Sequence, residues 1–328
     1  MVAPWTGLRH SADAGITDKH DHAKSLERQT VKEKEEGKPS GPRRVPDADQ
    51  AWMDENFEPL TAQSLATLRQ GYSWVRELEV RYPGWRLHAA ASFEFALPKK
   101  KAAQSKICLV GLAGVYLRSQ KPFNTSPGVV PPNLRSMGFR SRGDWSMREI
   151  PVDCDARDLA IAHAHYDHAD ADEDINCVFP LARLRELEIE EWIGSCAEVH
   201  YSLMGYAPDA APLIGTTRNE IIPRLRRQGV DAVVVCGGCE LSHQSGALIQ
   251  RAIEAEGIPT VGVSVCPDIT HELLVPRAVA LRFPLGNPFG AAMDAPMQER
   301  ILKDALQLLE SVETPGQVLT LPYEWVRL

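Results

Sequence analysis

The sequence has 328 residues, of which 44 % are hydrophobic and 24 % are charged, and its formal net charge is −8. These values are typical of a soluble globular chain and exclude a fibrous, collagen-like or wholly disordered protein. The acidic balance argues against a protein that binds nucleic acid or an anionic membrane. No apolar run reaches the roughly 20 residues of a membrane helix, and the first residues lack a secretory signal, so we expect a cytoplasmic protein.

The composition predicts three segments along the chain. Residues 1–50 are polar and mix acidic with basic side chains, as in TVKEKEEGKPSGPRR, which predicts a disordered segment. Residues 51–190 are predicted to form a helical lead-in and a first α/β lobe, and residues 191–328 a second α/β lobe. The predicted fold class is therefore α/β, with two Rossmann-like lobes built on parallel sheets.

The elements of the first half follow from apolar spacing. The segment 60–82 carries large apolar residues at helical spacing and predicts one or two amphipathic helices, which Pro83 and Gly84 end. Ile107 to Leu112 is continuously apolar, as a central parallel strand covered on both faces would be. Residues 119–144 predict a long loop, and LARLRELEIEEW after Pro180 predicts a helix.

The second half predicts a repeated strand–helix pattern. Val230 to Val235 is a buried strand, CGGCELS is a tight turn, and HQSGALIQRAIEAEG is a helix that Gly257 ends. IPTVGVSV is the next buried strand, so the unit has the order of a parallel crossover. The strand AVALRF, the loop PLGNPFG and a helix over residues 298–313 complete the chain.

The seven cysteines do not form a disulfide framework in a chain of this length. Five of them are scattered and are predicted to be buried, reduced side chains: Cys108, Cys154, Cys177, Cys196 and Cys266. Cys236 and Cys239 differ because they form a C-x-x-C pair at a strand-to-helix turn, where ligands gather in open α/β sheets.

The composition of this turn favours sulfur chemistry. Gly237 and Gly238 permit a sharp bend and leave backbone N–H groups open to an anion, while Ser242 is a candidate N-cap for the helix. A thiol beside a helix N-terminus is expected to be more acidic than free cysteine, and His243 could donate a proton. The pair could be a dithiol–disulfide couple, a nucleophile at Cys239, half of a thiolate metal site, or two small residues bordering a glycine turn.

This segment resembles the selenoprotein B subunits of the glycine, sarcosine and betaine reductases and the related D-proline reductase subunits. Those proteins have a strand, then selenocysteine-x-x-Cys, then a helix that ends in Gly-Ile-Pro. Counting back from Gly257 places Cys239 at the selenocysteine and Ser242 at the second cysteine. Further similar stretches, which extend the resemblance from about residue 105 to the C-terminus, are GDWSMREIP (143–151), DADEDINCVFPLARLREL (170–187), HYSLMGY (200–206) and PLGNPFG (284–290).

The resemblance implies a reductase that cleaves a C–N bond together with a second, pyruvoyl-bearing subunit, which this chain does not encode. The chain departs from the family pattern in two ways. Cysteine replaces selenocysteine and is the weaker nucleophile, and Ser242 replaces the resolving cysteine, so that Cys236 is left to pair with Cys239. Amino-acid reductase activity therefore rests on analogy at this point.

A second cluster, HAHYDHADADED, places three histidines close together at His163, His165 and His168. It fits the H-x-H-x-D-H pattern of the metallo-β-lactamase superfamily, although the later spaced ligands of that superfamily lack a match. Imidazole and carboxylate groups at this spacing suit a divalent metal such as zinc or iron. The alternatives are satisfied polar histidines or a general acid/base site without metal.

The leading hypothesis is a thiol-dependent reductase or lyase that acts on a small nitrogen-containing metabolite. Cys239 is its nucleophile, Cys236 its resolving thiol and His243 its proton carrier. The remaining predicted substrate-binding residues are Gly237, Gly238, Ser242 and His200. The alternatives are a metal-dependent enzyme and a non-catalytic subunit of a reductase complex. The predicted partners are a second subunit or a thiol electron donor, and the chain could also form a homo-oligomer. Neither nucleic acid nor a membrane is expected as a partner.

Overall fold

The computed structural model describes residues 47–82, 85–91, 95–125 and 144–326. The predictions for residues 1–46, for the turn at Pro83 and Gly84, and for most of the loop 119–144 fall outside these ranges. One boundary is corrected. The predicted disordered segment extends to residue 50, but a helix already begins at Asp47.

The helices of the described residues carry apolar side chains toward the sheet or toward one another. None of them is long and apolar enough to cross a lipid bilayer. They are α1 (Asp47–Asn56), α2 (Ala62–Gly71), α3 (Ser73–Arg81), α4 (Ala169–Glu173), α5 (Leu181–Ile189), α6 (Ala211–Thr216), α7 (Ile222–Gln228), α8 (Glu240–Glu254), α9 (Pro267–Glu272) and α10 (Ala295–Ser311).

The strands include the buried apolar runs expected from the sequence. They are β1 (Phe57–Pro59), β2 (His88–Ala90), β3 (Lys106–Leu112), β4 (Val115–Leu117), β5 (Arg148–Pro151), β6 (Leu159–Ile161), β7 (Ser195–Cys196), β8 (Val199–Ser202), β9 (Ala232–Gly237), β10 (Thr260–Ser264), β11 (Arg277–Ala280) and β12 (Gln317–Thr320). Two small antiparallel pairs, β1 with β2 and β4 with β6, stand apart from the main sheet.

The main sheet has eight strands in the order β12-β11-β10-β9-β3-β8-β5, and β7 also pairs with β3. All of its pairings are parallel except that of β5 with β8. β3 and β9 lie in the interior of the sheet, where apolar side chains are covered on both faces, and this explains their continuous apolar sequences. The α/β class is confirmed.

The two predicted lobes are not confirmed, because strands from both halves share this one sheet. β3 belongs to the predicted first lobe and β9 to the second, yet the two pair in parallel from Ile107–Ala232 to Leu112–Gly237. The described residues from Asp47 to Val326 form one compact unit. The parallel arrangement brings the C-terminal ends of β3, β9 and β10 to the same edge of the sheet.

Candidate functional site

The thiol turn, residues 236–242, lies at this edge of the sheet. β9 ends at Gly237 and α8 begins at Glu240, so Cys239 rather than Ser242 is the N-cap. The Cys239 Sγ accepts the backbone N–H of Ser242, and the Ser242 hydroxyl accepts the Cys239 N–H at 3.1 Å. This reciprocal capping box starts the helix three residues before the predicted first residue, His243.

The Cys239 thiol is fully buried, at 0 % exposure. Burial raises its pKa to about 12, although hydrogen bonds from Ser242 and the Leu241 backbone act in the opposite direction. The expectation of an unusually acidic thiol is therefore wrong for this conformation, since desolvation outweighs the helix N-terminus. At neutral pH the thiol keeps its proton.

The two glycines of the turn are required by close packing. A Cβ on Gly237 would overlap the Ser242 hydroxyl, and a Cβ on Gly238 would lie 2.8 Å from Cε1 and Cζ of Tyr166. The Tyr166 hydroxyl donates a hydrogen bond of 2.9 Å to the Ala113 carbonyl, which holds the ring against the turn. Gly237 and Gly238 thus admit neighbouring side chains, whereas the sequence predicted N–H groups open to an anion.

The loop Pro284–Gly290 packs against the other side of Gly238. The Gly286 N–H donates to the Gly238 carbonyl at 2.9 Å, and Gly286 adopts φ +88° where a Cβ would meet Tyr166.

Beneath the turn, a cavity of about 20 Å³ is lined in part by Cys236, Ser242 and His243. That volume holds about one water molecule and is too small for an amino acid.

His243 joins the thiol turn to the end of β10. Its Nδ1 lies 3.0 Å from the Cys239 carbonyl and 3.1 Å from the Glu240 carbonyl, so Nδ1 carries the proton. Its Nε2 accepts the Val265 N–H at 3.3 Å. Burial lowers the pKa of His243 to about 4, and the ring is a neutral link between backbone groups.

Cys236 is also buried, and its thiol donates to the Val178 carbonyl at 3.2 Å. Burial raises its pKa to about 12. All seven cysteines are free thiols, and of these Cys154 alone is half-exposed. Of the five scattered cysteines predicted to be buried, four are buried, and the prediction is wrong for Cys154.

The histidine cluster follows β6 and lies against the thiol turn, a proximity that the sequence did not predict. The rings of His163 and Tyr166 are 4.7 Å apart between centroids, and those of Tyr166 and His168 are 5.7 Å apart. His165 stacks on Tyr206 at 3.4 Å with the ring planes 3° apart. Tyr166, which contacts Gly238, therefore connects the two predicted sites.

Nδ1 has a partner in His163 and in His168, whereas Nε2 of His165 is buried with no partner among the described residues. His163 Nδ1 accepts the His165 N–H at 3.0 Å, and His168 Nδ1 lies 2.7 Å from an Asp172 carboxylate oxygen. Burial lowers the pKa of His163 to about 3 and that of His165 to about 4. Across the described ranges, no group of three or more His, Cys, Asp or Glu side chains is placed to hold a metal ion.

His200 lies on β8 with no exposed surface, and its Nδ1 accepts the Leu109 N–H at 2.9 Å. Leu109 lies where β3 changes its pairing partner from β7 to β8, so the imidazole replaces a missing backbone acceptor. Burial lowers the pKa of His200 to about 3. The predicted substrate-binding residue thus contacts the backbone of the central strand.

Two residues near the site were not predicted from the sequence as site residues. Tyr166 lies within the HAHYDH motif, but only the tertiary contact with Gly238 reveals its position under the turn. Cys266 follows β10 as Cys239 follows β9, and it was grouped with the scattered cysteines. The signal that could have found Cys266 is its place directly after a predicted parallel strand.

Fold and site together define the class: an α/β protein whose parallel sheet holds a buried thiol at a strand-to-helix turn. A family model described as glycine/sarcosine/betaine reductase selenoprotein B matches residues 100–237. D-proline reductase subunit gamma of Acetoanaerobium sticklandii is 34 % identical over 227 residues, which are 69 % of this chain and 87 % of that protein. The chain belongs to the glycine/sarcosine/betaine reductase selenoprotein B family, as the sequence predicted.

Two further relatives are longer than this chain. Glycine reductase complex component B subunit gamma of Symbiobacterium thermophilum is 30 % identical over 66 % of this chain and 48 % of that protein. Betaine reductase complex component B subunit beta of Peptoclostridium acidaminophilum is 32 % identical over 60 % of this chain and 43 % of that protein. The chain thus spans most of the D-proline subunit and about half of the other two. No solved structure shows a significant match.

Proposed function

We propose that this chain is the thiol-bearing component of a reductase that acts on a small nitrogen-containing metabolite, with Cys239 as its nucleophile. The observation that carries the proposal is the position of Cys239 at the N-cap of α8, directly beyond β9, with Sγ accepting the Ser242 N–H. The same donors favour the thiolate once the site opens to water or substrate. A thiolate here would lie at the C-terminal edge of the parallel sheet, which is where α/β folds place ligands and reactive groups.

The substrate class comes from the relatives. Their names describe subunits or components of reductases for D-proline, glycine and betaine, which are all small nitrogen compounds. Their description as parts of complexes supports a partner subunit for this chain. Because Cys239 is covered by its surroundings, we expect the partner or the substrate to displace part of the packing around Tyr166 and Gly286.

The proposed reaction is a reductive cleavage in two steps. The Cys239 thiolate forms a C–S bond to the substrate carbon while the C–N bond breaks, and the amine leaves with the electron pair and takes up a proton. A second thiol then attacks Cys239 Sγ, the C–S bond breaks toward carbon, and the carbon takes up a proton. Two thiols lose two electrons and become a disulfide, which a dithiol donor reduces again.

The test uses the complex isolated from the source cells through a tag on this chain. It is supplied with dithiothreitol and, separately, with glycine, sarcosine, betaine and D-proline, and the loss of each compound is measured. We expect one of them to be consumed, and Cys239→Ser to lower turnover at least about a hundredfold, because removal of a nucleophile removes the covalent path.

The matched control is Cys154→Ser, which changes a half-exposed thiol away from the turn and is expected to leave turnover unchanged. Consumption of one compound by the wild-type complex and its loss in Cys239→Ser would support the proposal. Full turnover in Cys239→Ser would contradict it and favour a non-catalytic subunit.

A further inference from the structure

Cys266 occupies the same position on its strand that Cys239 occupies on the neighbouring strand. β9 and β10 run in parallel, with Cys236 opposite Val263, so both strands end at the same edge of the sheet. Cys239 follows β9 as the N-cap of α8, and Cys266 follows β10 as the N-cap of α9. Two thiols therefore lie at adjacent strand ends.

A single imidazole ties these two strand ends together. His243 bonds through Nδ1 to the Cys239 carbonyl at 3.0 Å and through Nε2 to the Val265 N–H at 3.3 Å. Val265 directly precedes Cys266 in the chain. The backbone at each cysteine is thus held within one residue of the same ring, which limits how far the two thiols can separate.

The surroundings of the thiols also couple Cys239 to Cys266. Both belong, together with Cys236, to the same apolar core cluster, and their exposures are 0 % and 4 %. Burial raises the pKa of Cys266 to about 12, and the acidic groups around it, Glu240, Asp268 and Cys239, raise it further. Burial alone raises the pKa of Cys236, and its thiol is already engaged with the Val178 carbonyl at 3.2 Å.

We propose that Cys266, and not Cys236, is the resolving thiol that attacks Cys239 Sγ and forms a Cys239–Cys266 disulfide. This inference rests on the proposed function, in which a second thiol must release the reduced product. Ser242, which stands where the family resemblance places a second cysteine, has a hydroxyl and cannot form that disulfide. Cys266 supplies the missing sulfur from the neighbouring strand.

The resolving step can be followed with oxidised glutathione in place of substrate. The Cys239 thiolate attacks one sulfur of the reagent, forming a mixed disulfide and releasing one glutathione as a thiol that takes up a proton. Cys266 then attacks Cys239 Sγ and releases the second glutathione in the same way. The two protein thiols lose two electrons and two protons, and the reagent gains them.

The experiment maps disulfides in the full-length chain. Reduced protein is incubated with oxidised glutathione at about pH 8 and about pH 10, where buried thiols ionise more readily. Remaining thiols are then alkylated and the protein is digested without reduction for mass spectrometry. We expect a peptide pair linked through Cys239 and Cys266 in the wild type and in Cys236→Ser. In Cys266→Ser we expect Cys239 to remain as the glutathione mixed disulfide.

A linkage between Cys236 and Cys239, or no linkage of Cys239 to Cys266 at either pH, would overturn the inference. The wild-type and Cys236→Ser results decide the matter even if Cys266→Ser does not fold. Because the mapping requires no turnover, its failure is separable from failure of the proposed function. A reductase that depends on Cys239 but lacks the Cys239–Cys266 linkage would retain the function and lose this inference.

Discussion

The thiol of Cys239 is held between two opposing influences. The N–H groups of Leu241 and Ser242 favour the thiolate, whereas complete burial favours the neutral thiol and raises the pKa to about 12. Burial dominates because the free energy needed to remove the thiolate from water exceeds the stabilisation that these donors provide in the closed conformation. Reactivity at this residue is therefore controlled by access as much as by chemistry.

Alkylation of Cys239 is expected to keep accelerating as the solution becomes alkaline. The rate with iodoacetamide should rise roughly tenfold per pH unit between about pH 7 and about pH 10, because the thiolate fraction grows at that rate below the pKa. Pulse alkylation with mass spectrometry of the Cys239 peptide measures it. Ser242→Ala removes the hydroxyl, whose own hydrogen bond lowers the pKa of Cys239, while the Ser242 N–H stays, so the variant should react more slowly. A plateau below about pH 9, as in a free cysteine, would contradict the prediction.

At the scale of elements, the turn between β9 and α8 depends on Tyr166. Gly238→Ala places a Cβ 2.8 Å from the Tyr166 ring and 3.2 Å from the Ala113 Cβ. The ring cannot retreat easily because its hydroxyl is bonded to the Ala113 carbonyl. We expect Gly238→Ala to lower the free energy of unfolding by about 1–3 kcal/mol, as overpacking does, and to speed alkylation of Cys239.

The matched control for this change is Gly246→Ala on α8. A Cβ there would meet only Val235 Cγ1, at an ordinary 3.6 Å. Alanine in a helix interior is more favourable than glycine by about 0.5–1 kcal/mol, so this variant should be as stable as the wild type or more stable. Urea unfolding of both variants makes the comparison, and wild-type stability in Gly238→Ala would show that Tyr166 does not constrain the turn.

The elements themselves could be predicted where sequence and packing agree. β3, β9 and β10 are continuously apolar because both faces of the sheet are covered, and their sequences indicate this directly. The start of α8 could not be predicted, because the cap is a cysteine thiol whose partner Ser242 itself resembled a cap. N-cap propensities favour the Ser242 hydroxyl over a cysteine thiol. The reciprocal hydrogen bonds nevertheless make the earlier residue, Cys239, the N-cap.

The site required tertiary information that no local pattern contains. The contact of Tyr166 with Gly238 joins segments about 70 residues apart, and the pairing of β3 with β9 joins the two predicted lobes. Hydrophobic periodicity indicates which face of an element is buried but not which element covers it. Hence the cysteine and histidine motifs were identified separately, while their proximity was not.

At the scale of the whole molecule, several histidines are buried as neutral rings in different parts of the fold. The pKa of His200 falls to about 3 and that of His243 to about 4, both through burial. Two carboxyl groups act in the opposite direction, since burial raises the pKa of Glu240 and of Glu254. The change in wild-type stability with falling pH is the sum of both effects. The contribution of one histidine is therefore measured by comparing the wild type with a variant that lacks that histidine.

His200→Gln isolates one of them while a side-chain acceptor for the Leu109 N–H is kept. In the folded protein His200 stays neutral down to about pH 3, whereas the unfolded chain binds the proton near about pH 6.5. Its contribution to stability is therefore present above about pH 6.5 and is lost as the pH falls toward 3. The stability advantage of the wild type over His200→Gln should shrink by up to about 1.4 kcal/mol per pH unit in this window.

Urea unfolding at about pH 7, 6 and 5 measures this difference in stability, with His271→Gln as the matched change at an exposed histidine. A difference between wild type and His200→Gln that does not change with pH would mean that His200 is not held neutral by the fold.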